Sequence, residues 1–300
     1  MAGLAFRLAQ SSDFHEILKI SEGIYEGNDY LPKRYHTWMG MENWKVMLAF
    51  SGDKLVSLVA FVIVDEGRTY VTRAARTLPE FQGQGIYKAL SNAVTEFIRI
   101  RFPNISRHRL VTYGEHSAYR SFKSLGFQMN LACFVKKAFL RPQKAPSSSL
   151  NSTAEVTSCT QDYLCDVVFA PTVARKLFPH NLINMESTLI EPLRSNIDYL
   201  AQEYGDIYVA VEKSHTEGVP PRSVSFGTVN IYTDDPALFE AHLLYQFERA
   251  CKVIEGSFLF AILHDKTFTK CARRVLEQLL KMEIKEDWLK QTVQMYEVSV

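Results

Sequence analysis

Two glycines stand two residues apart in LPEFQGQGIYKAL, residues 78–90, where an extended apolar run gives way to a helical pattern. That placement can do chemistry. The start of a helix carries N–H groups without intrahelical partners and the positive end of the helix dipole. Glycine lets an anion approach that backbone with no Cβ in the way. The amides from Gln84 to Ala89 could therefore wrap a pyrophosphate. A P-loop would end GK[ST], whereas this turn continues Ile86-Tyr87-Lys88. A Rossmann fingerprint would follow the first strand of a parallel βαβ unit, whereas an antiparallel meander precedes this turn. Further along, Tyr113 ends the run HRLVTYG, and Glu115 and His116 follow it. Glu115 and His116 can each take a proton, and Tyr113 can relay one through water, so all three are candidates for a general base. Each of these residue types also serves commonly as a solvated or structural side chain.

The elements that must hold these groups follow from period and punctuation. LAFRLAQ reads as a strand and SSDFHEILKISEGIY as a helix, with Asp13 and Glu16 as a capping-box start. NDYLPKRYHTWMG reads as a short, irregular helix broken near Pro32. WKVMLAF and KLVSLVAFVIVD are strands joined through Ser51-Gly52-Asp53, and RTYVTRAARTL feeds the glycine turn. In the next helix Ile86, Ala89, Leu90, Ala93, Val94, Phe97 and Ile98 recur at steps of three and four, which marks one buried face. HRLVTYG is a strand, HSAYRSFKSL a helix with Gly126 as C-cap, and FQMNLACFVKKAFL a strand.

Residues 141–153, RPQKAPSSSLNST, have no period and read as a linker between domains at 1–140 and 154–300. Beyond it come a helix near 161–177 and the strands DIYVAVEK and SVSFGTVNIY. The helix PALFEAHLLYQFERACKVI, strand FLFAILHD, helix TFTKCARRVLEQLLKM and strand QMYEVSV complete the chain. That β-β-α-β-α-β order repeats the close of the first half. The expected fold class is α/β with mixed sheets, the second half a degenerate copy of the first. The copy has Asp234 and Asp235 where phosphate would need amides, so it is expected to lack a coenzyme loop.

Gln82-Gly83-Gln84-Gly85-Ile86-Tyr87 resembles the [QR]-x-x-G-x-[GA] loop of the Gcn5-related N-acetyltransferases, with Tyr87 where Gly or Ala is usual. AYRSFKSLGF resembles a second feature of that family, with Phe122 in place of a Tyr that often protonates the departing thiolate. GNDYLPKRYHTW is similar to the N-terminal wording of the histidine N-acetyltransferases, which also carry a C-terminal half; Arg73 stands where those relatives tend to have an acidic residue. The resemblance implies acetyl-CoA as co-substrate, held by Gln82 to Ala89, with an amide of Thr77 or Leu78 on the acetyl oxygen. It implies an acceptor site lined by Tyr25, Tyr30 and Tyr35, with Asp29 on the acceptor's ammonium. The implied reaction is direct acetyl transfer to the α-amine of a free amino acid, L-histidine first among them. A glycine N-acyltransferase-like conjugase and a non-catalytic acyl-CoA-binding module are the alternatives.

The bulk numbers exclude other classes. The 34 basic and 33 acidic side chains nearly cancel, so neither nucleic acid nor a membrane surface is an expected partner. The five cysteines have no CxxC spacing and His180 and His264 no partners at metal spacing, so no metal is expected. No stretch approaches the ~18 apolar residues of a membrane span. The chain is expected to be cytoplasmic, a monomer or weak homodimer, acting on a small-molecule amine. Arg99, Arg101, Arg107 and Arg109 read as a solvated basic rim.

Overall fold

The computed structural model describes residues 3–27, 29–136, 154–185, 187–198, 207–212, 223–226, 230–286 and 292–300. The chain forms two compact units, Met1–Val111 with Glu297–Val300, and Thr112–Tyr296. The division thus falls earlier than at residues 141–153, which lie outside the described residues.

In the first unit β1 (Leu4–Leu8), β2 (Trp44–Ser51), β3 (Lys54–Val64) and β4 (Thr69–Thr77) pair antiparallel in sequence order. β5 (Arg107–Tyr113) then joins β4 in parallel, from Thr69↔Arg107 to Thr72↔Leu110. Two short helices, α1 (Phe14–Ile20) and α2 (Leu31–Met39), lie between β1 and β2, and α3 (Ile86–Arg101) makes the β4–β5 crossover. Ile86, Leu90, Val94 and Ile98, four residues apart, are the buried stripe of α3, packed with Val56, Phe61 and Tyr70. Each such side chain contributes about 1.5–3 kcal/mol. Pro32 does not break α2 but stands in its first turn, where a missing N–H costs nothing. The capping box lies three residues earlier than expected: Gln10 donates its N–H to Asp13 Oδ2 (2.7 Å), and that carboxylate also holds Arg7.

The basic rim is corrected at Arg109, which is 2% exposed and bonds Asp65 Oδ2 (2.7 Å) and Glu297 Oε2 (2.8 Å). Val300 donates its N–H to Ser106 O (3.1 Å) and packs on the core under α3. His108 is also buried, stacks on Tyr70 (4.3 Å) and meets Thr72 Oγ1 (3.0 Å); burial pushes its pKa down to about 4.

The second unit contains β6 (Lys123–Val135), β7 (Ala154–Cys159), a small hairpin of β8 (Ile183–Met185) and β9 (Thr188–Ile190), β10 (Ile207–Glu212), β11 (Ser223–Phe226), β12 (Asn230–Thr233), β13 (Phe258–His264) and the start of β14 (Thr292–Ser299). Its sheet order is β14-β6-β13-β12-β11-β10-β7. Its longer described α-helices are α4 (Pro171–Leu177), α5 (Pro236–Val253) and α6 (Thr269–Arg273). The antiparallel run β10-β11-β12, the helix α5 and the parallel return of β13 to β12 repeat the connectivity of β2-β3-β4-α3-β5.

The helix expected over HSAYRSFKSL does not form. A single helical turn spans Ser117–Tyr119, and β6 already starts at Lys123, with Gly126 inside it at φ +93°. Ser124 Oγ accepts the Gly126 N–H (3.2 Å), a local bond that competes with a helix. SVSFGTVNIY is two strands rather than one, and the helix near 161–177 is interrupted before Pro171.

Candidate active site

The glycine turn leaves β4 and enters α3. Gly83 and Gly85 sit at φ +73° and +75°, a region costly for any residue with a Cβ, and a Cβ at either would meet nothing within 4 Å. Gly85 is the N-cap of α3 and so offers the first helical turn no side-chain acceptor. The turn Gln82–Gly85 is solvent-exposed and tied down from both ends: Gln82 Nε2 bonds Thr77 O (3.0 Å) and Gln84 Nε2 bonds Glu80 O (2.9 Å). Gln82's own N–H goes to Pro79 O, and Ala89's goes to Gly85 O at 3.0 Å. The expected cradle is thereby shortened at Ala89, whose amide is an ordinary helix bond. Tyr87 is half-buried and packs against the core, and Lys88 is exposed.

The equivalent turn of the second unit is built differently. Asp235 is the N-cap of α5, and its carboxylate accepts the N–H groups of Ala237 (2.8 Å) and Leu238 (3.4 Å). A helix start that carries its own carboxylate repels a phosphate.

β4 has a bulge that makes the rest of the site. Ala60 lies opposite Arg73 and Leu58 opposite Arg76, so Ala74 and Ala75 together face Val59 alone; Ala74 takes φ +50°. Past the bulge, Leu78 donates its N–H to Val56 O (3.0 Å). This corrects Leu78 as a donor to an acetyl oxygen: its amide belongs to the sheet. Strand alternation then turns the N–H and C=O of Thr77 away from β3, in keeping with the Gln82 bond to Thr77 O. The recorded pairing of β4 with β5 ends at Thr72, whereas β4 runs on to Thr77. Ala75, at the bulge, is the exposed residue of an otherwise covered strand.

In a regular strand residues three apart face opposite ways; the extra residue puts Arg73 and Arg76 on one side. Their guanidiniums lie 5.3 and 5.5 Å from the same Tyr30 ring. Arg76 also lies 5.3 Å from Tyr25, which stacks on Tyr30 at 6.4 Å. Arg73 also faces Trp38 (5.6 Å) and Trp44 (5.9 Å), a pair stacked at 4.0 Å. Asp29 is buried and spoken for: Arg76 grips it through Nη2–Oδ1 (2.8 Å) and Nε–Oδ2 (3.1 Å), and Leu31 N–H adds a third bond (3.1 Å). Burial opposes the charge on Arg76, but the Asp29 bond overrides it and raises the guanidinium's pKa above its ordinary value.

The expected acceptor set is therefore split. Tyr25 and Tyr30 are half-buried and lie together, and Tyr25 is held at φ +50° between Gly23 and Gly27, both also left-handed. Tyr35 is removed from the set, since it is fully buried, donates its hydroxyl to Gln10 O (2.6 Å), and burial pushes its pKa up to about 12. Asp29 serves Arg76 rather than presenting an open carboxylate. The meeting of Arg73 with Arg76 went unread because it depends on a bulge without a glycine to announce it.

The three base candidates belong to the second unit. Glu115 and His116 are exposed and Tyr113 half-buried; His116 Nδ1 accepts the Ala118 N–H (3.3 Å), and its ring lies 5.4 Å from Tyr119. Tyr119 in turn packs on Phe122 (5.4 Å) and Tyr296 (5.7 Å). Among the described residues no three His, Cys, Asp or Glu side chains converge as metal ligands, and no helix is long and apolar enough to cross a membrane.

Residues 12–127 match the acetyltransferase (GNAT) family, and residues 151–265 match the family described as histidine N-acetyltransferase, C-terminal. The chain is an N-acetyltransferase that carries a GNAT domain. This acetyltransferase is 23% identical to the histidine N-acetyltransferase of Oreochromis niloticus, over 97% of its own length and 93% of that protein's. It is 35% identical to the enzyme of Scomber australasicus over 36% of this chain and 32% of that one. Its fold is that of the GCN5-related N-acetyltransferase of Sphaerobacter thermophilus, with a TM-score of 0.63 and 12% identity over 99% of this chain and 95% of that chain. Acetyl-CoA is the general co-substrate of the family.

Proposed function

We propose that this acetyltransferase moves an acetyl group from acetyl-CoA to the α-amine of a free amino acid, L-histidine first. The observation that carries the reading is its likeness to a histidine N-acetyltransferase across nearly the whole chain. The chemistry of the turn supports the donor: Gly83 to Lys88 would take the pyrophosphate on backbone amides at the uncapped start of α3. Bound there, acetyl-CoA supplies an activated thioester.

The residues of this chain would do the rest. Thr77 N–H, turned away from β3, would hold the acetyl oxygen as charge develops on it. The bulge would present that amide beside Tyr25 and Tyr30, which would line the acceptor, so that fixed orientation replaces a covalent enzyme intermediate. Glu115, His116 and Tyr113 are the candidates to take the amine's proton. Phe122 has no proton to give, and none is needed for a thiol whose free pKa is about 8.5. The test is incubation with acetyl-CoA and each proteinogenic amino acid in turn, reading product mass and free thiol. N-acetylhistidine with one thiol released per acetyl is the expected result; thiol release that no amino acid accelerates would refute it.

A further inference from the structure

Past Lys54, a single polar side chain interrupts the apolar run of β3, KLVSLVAFVIV: Ser57, which is fully buried. A hydroxyl so placed is costly unless it finds partners. Ser57 finds them at the end of β4, where it lies opposite Thr77 in the register. Its Oγ is 2.8 Å from Arg76 O and 2.9 Å from Thr77 Oγ1. A carbonyl only accepts, so the one Ser57 proton goes to Arg76 O and the Thr77 hydroxyl donates to Ser57. The donations thus run one way, from the Thr77 hydroxyl through Ser57 to Arg76 C=O. That carbonyl shares its peptide unit with the Thr77 N–H. A trans peptide points the two in opposite directions, so a carbonyl held towards β3 turns the N–H away from it. Hydrogen bonds in series polarise one another, and a carbonyl that accepts makes its own N–H a stronger donor. The flanks are fixed as well: the Arg76 side chain by Asp29, and Thr77 O by Gln82 Nε2 (3.0 Å).

We propose that Ser57 is a positioning residue for acetyl transfer: through Arg76 C=O it aims and polarises the Thr77 N–H that receives the acetyl oxygen. The inference rests on the placing of that N–H in the reading above and names the side chain that would set it. Buried on the strand between β2 and β4, Ser57 acts through the peptide and not on a substrate. Its proton matters more to that role than its bulk. Alanine fills nearly the same space but donates nothing to Arg76 O, and cysteine donates weakly.

The experiment compares the wild type with S57A, S57C and T77V in two readouts, with melting curves and coenzyme A titrations on each. The first is kcat and KM for acetyl-CoA with L-histidine, followed by thiol release. The second is the infrared stretch of the acetyl carbonyl in bound, isotope-labelled acetyl-CoA, which reads the donor whatever the acceptor. S57A should lower kcat about tenfold, short of the roughly 100-fold or more for losing such a donor outright. It should leave KM for acetyl-CoA within about twofold, as expected of an interaction that strengthens in the transition state. S57C should fall between S57A and the wild type, and T77V, which keeps the bond from Ser57 to Arg76 O, should lose less than S57A. The wild-type carbonyl should stretch at a lower frequency than in solution, and S57A should move it back. A stretch shifted in the wild type and unchanged in both Ser57 variants overturns the role of Ser57 and leaves the Thr77 reading standing. So does an S57A that keeps its kcat, or loses it only in step with its melting temperature, the mark of a merely structural serine. An unshifted wild-type carbonyl removes the Thr77 reading itself, and the inference with it.

Discussion

Replacing Gly85 by aspartate tests the coenzyme cradle more directly than any other change. Two effects are separable. The left-handed φ of +75° strains any residue with a Cβ, costing about 1–2 kcal/mol of stability. No protein atom lies within 4 Å of the new Cβ, so no steric term adds to it. The carboxylate is a second matter. At about 5 Å from one phosphate charge and an effective dielectric near 20, repulsion is about 3 kcal/mol. That is on the order of a 100-fold rise in Kd. Gly85→Ala carries the strain without the charge and serves as the control. Calorimetric titration with coenzyme A reads affinity, and a melting curve reads strain. We expect G85A to melt earlier yet bind within about tenfold of wild type, and G85D to melt similarly and bind far more weakly. Equal Kd values for G85D and G85A would refute the cradle.

Other changes probe the surroundings. Asp29→Asn should destabilise the first unit by about 3–5 kcal/mol, because it leaves Arg76 buried without its carboxylate; urea unfolding measures this, and R76M should recover part of the loss. His108 has its folded-state pKa depressed by burial, to about 4, so the stability it contributes is whole above its unfolded value near 6.5 and declines as pH falls towards 4. Between pH 7.5 and 5 this amounts to about 2 kcal/mol, and H108Q should flatten that part of a denaturation series across pH. Of E115Q and H116Q, the variant that removes the base should lower kcat at least tenfold and shift the acid limb of the rate profile; unchanged profiles in both would exclude the pair.

The glycine turn and the α3 stripe were legible because each rests on a local rule. Glycine marks positive φ, and a four-residue apolar step marks a buried face. The bond between Asp29 and Arg76, 47 residues apart, had no such marker. Its geometry depends on a bulge at Ala74 and Ala75, residues with no turn preference to reveal it. HSAYRSFKSL carried helical spacing yet gave only one helical turn at Ser117–Tyr119 before β6 starts at Lys123, since its serines are weak helix formers and Ser124 takes the Gly126 N–H instead. Leu78 and Ala89 were misplaced by one bond each. A loop pattern cannot say which amides the neighbouring strand and helix have already taken.

The first unit is interrupted. Its sheet begins near residue 4 and is completed by Glu297–Val300, with all of the second unit inserted between. On a ribosome adding roughly 5–20 residues per second, the start of the unit waits about fifteen to sixty seconds for its end. Until then Arg109 lacks Glu297, and Val300 has yet to cover the floor under α3. The half that carries the glycine turn is therefore not a contiguous module, and a fragment cut after β5 or β6 would carry the whole turn on an unfinished support.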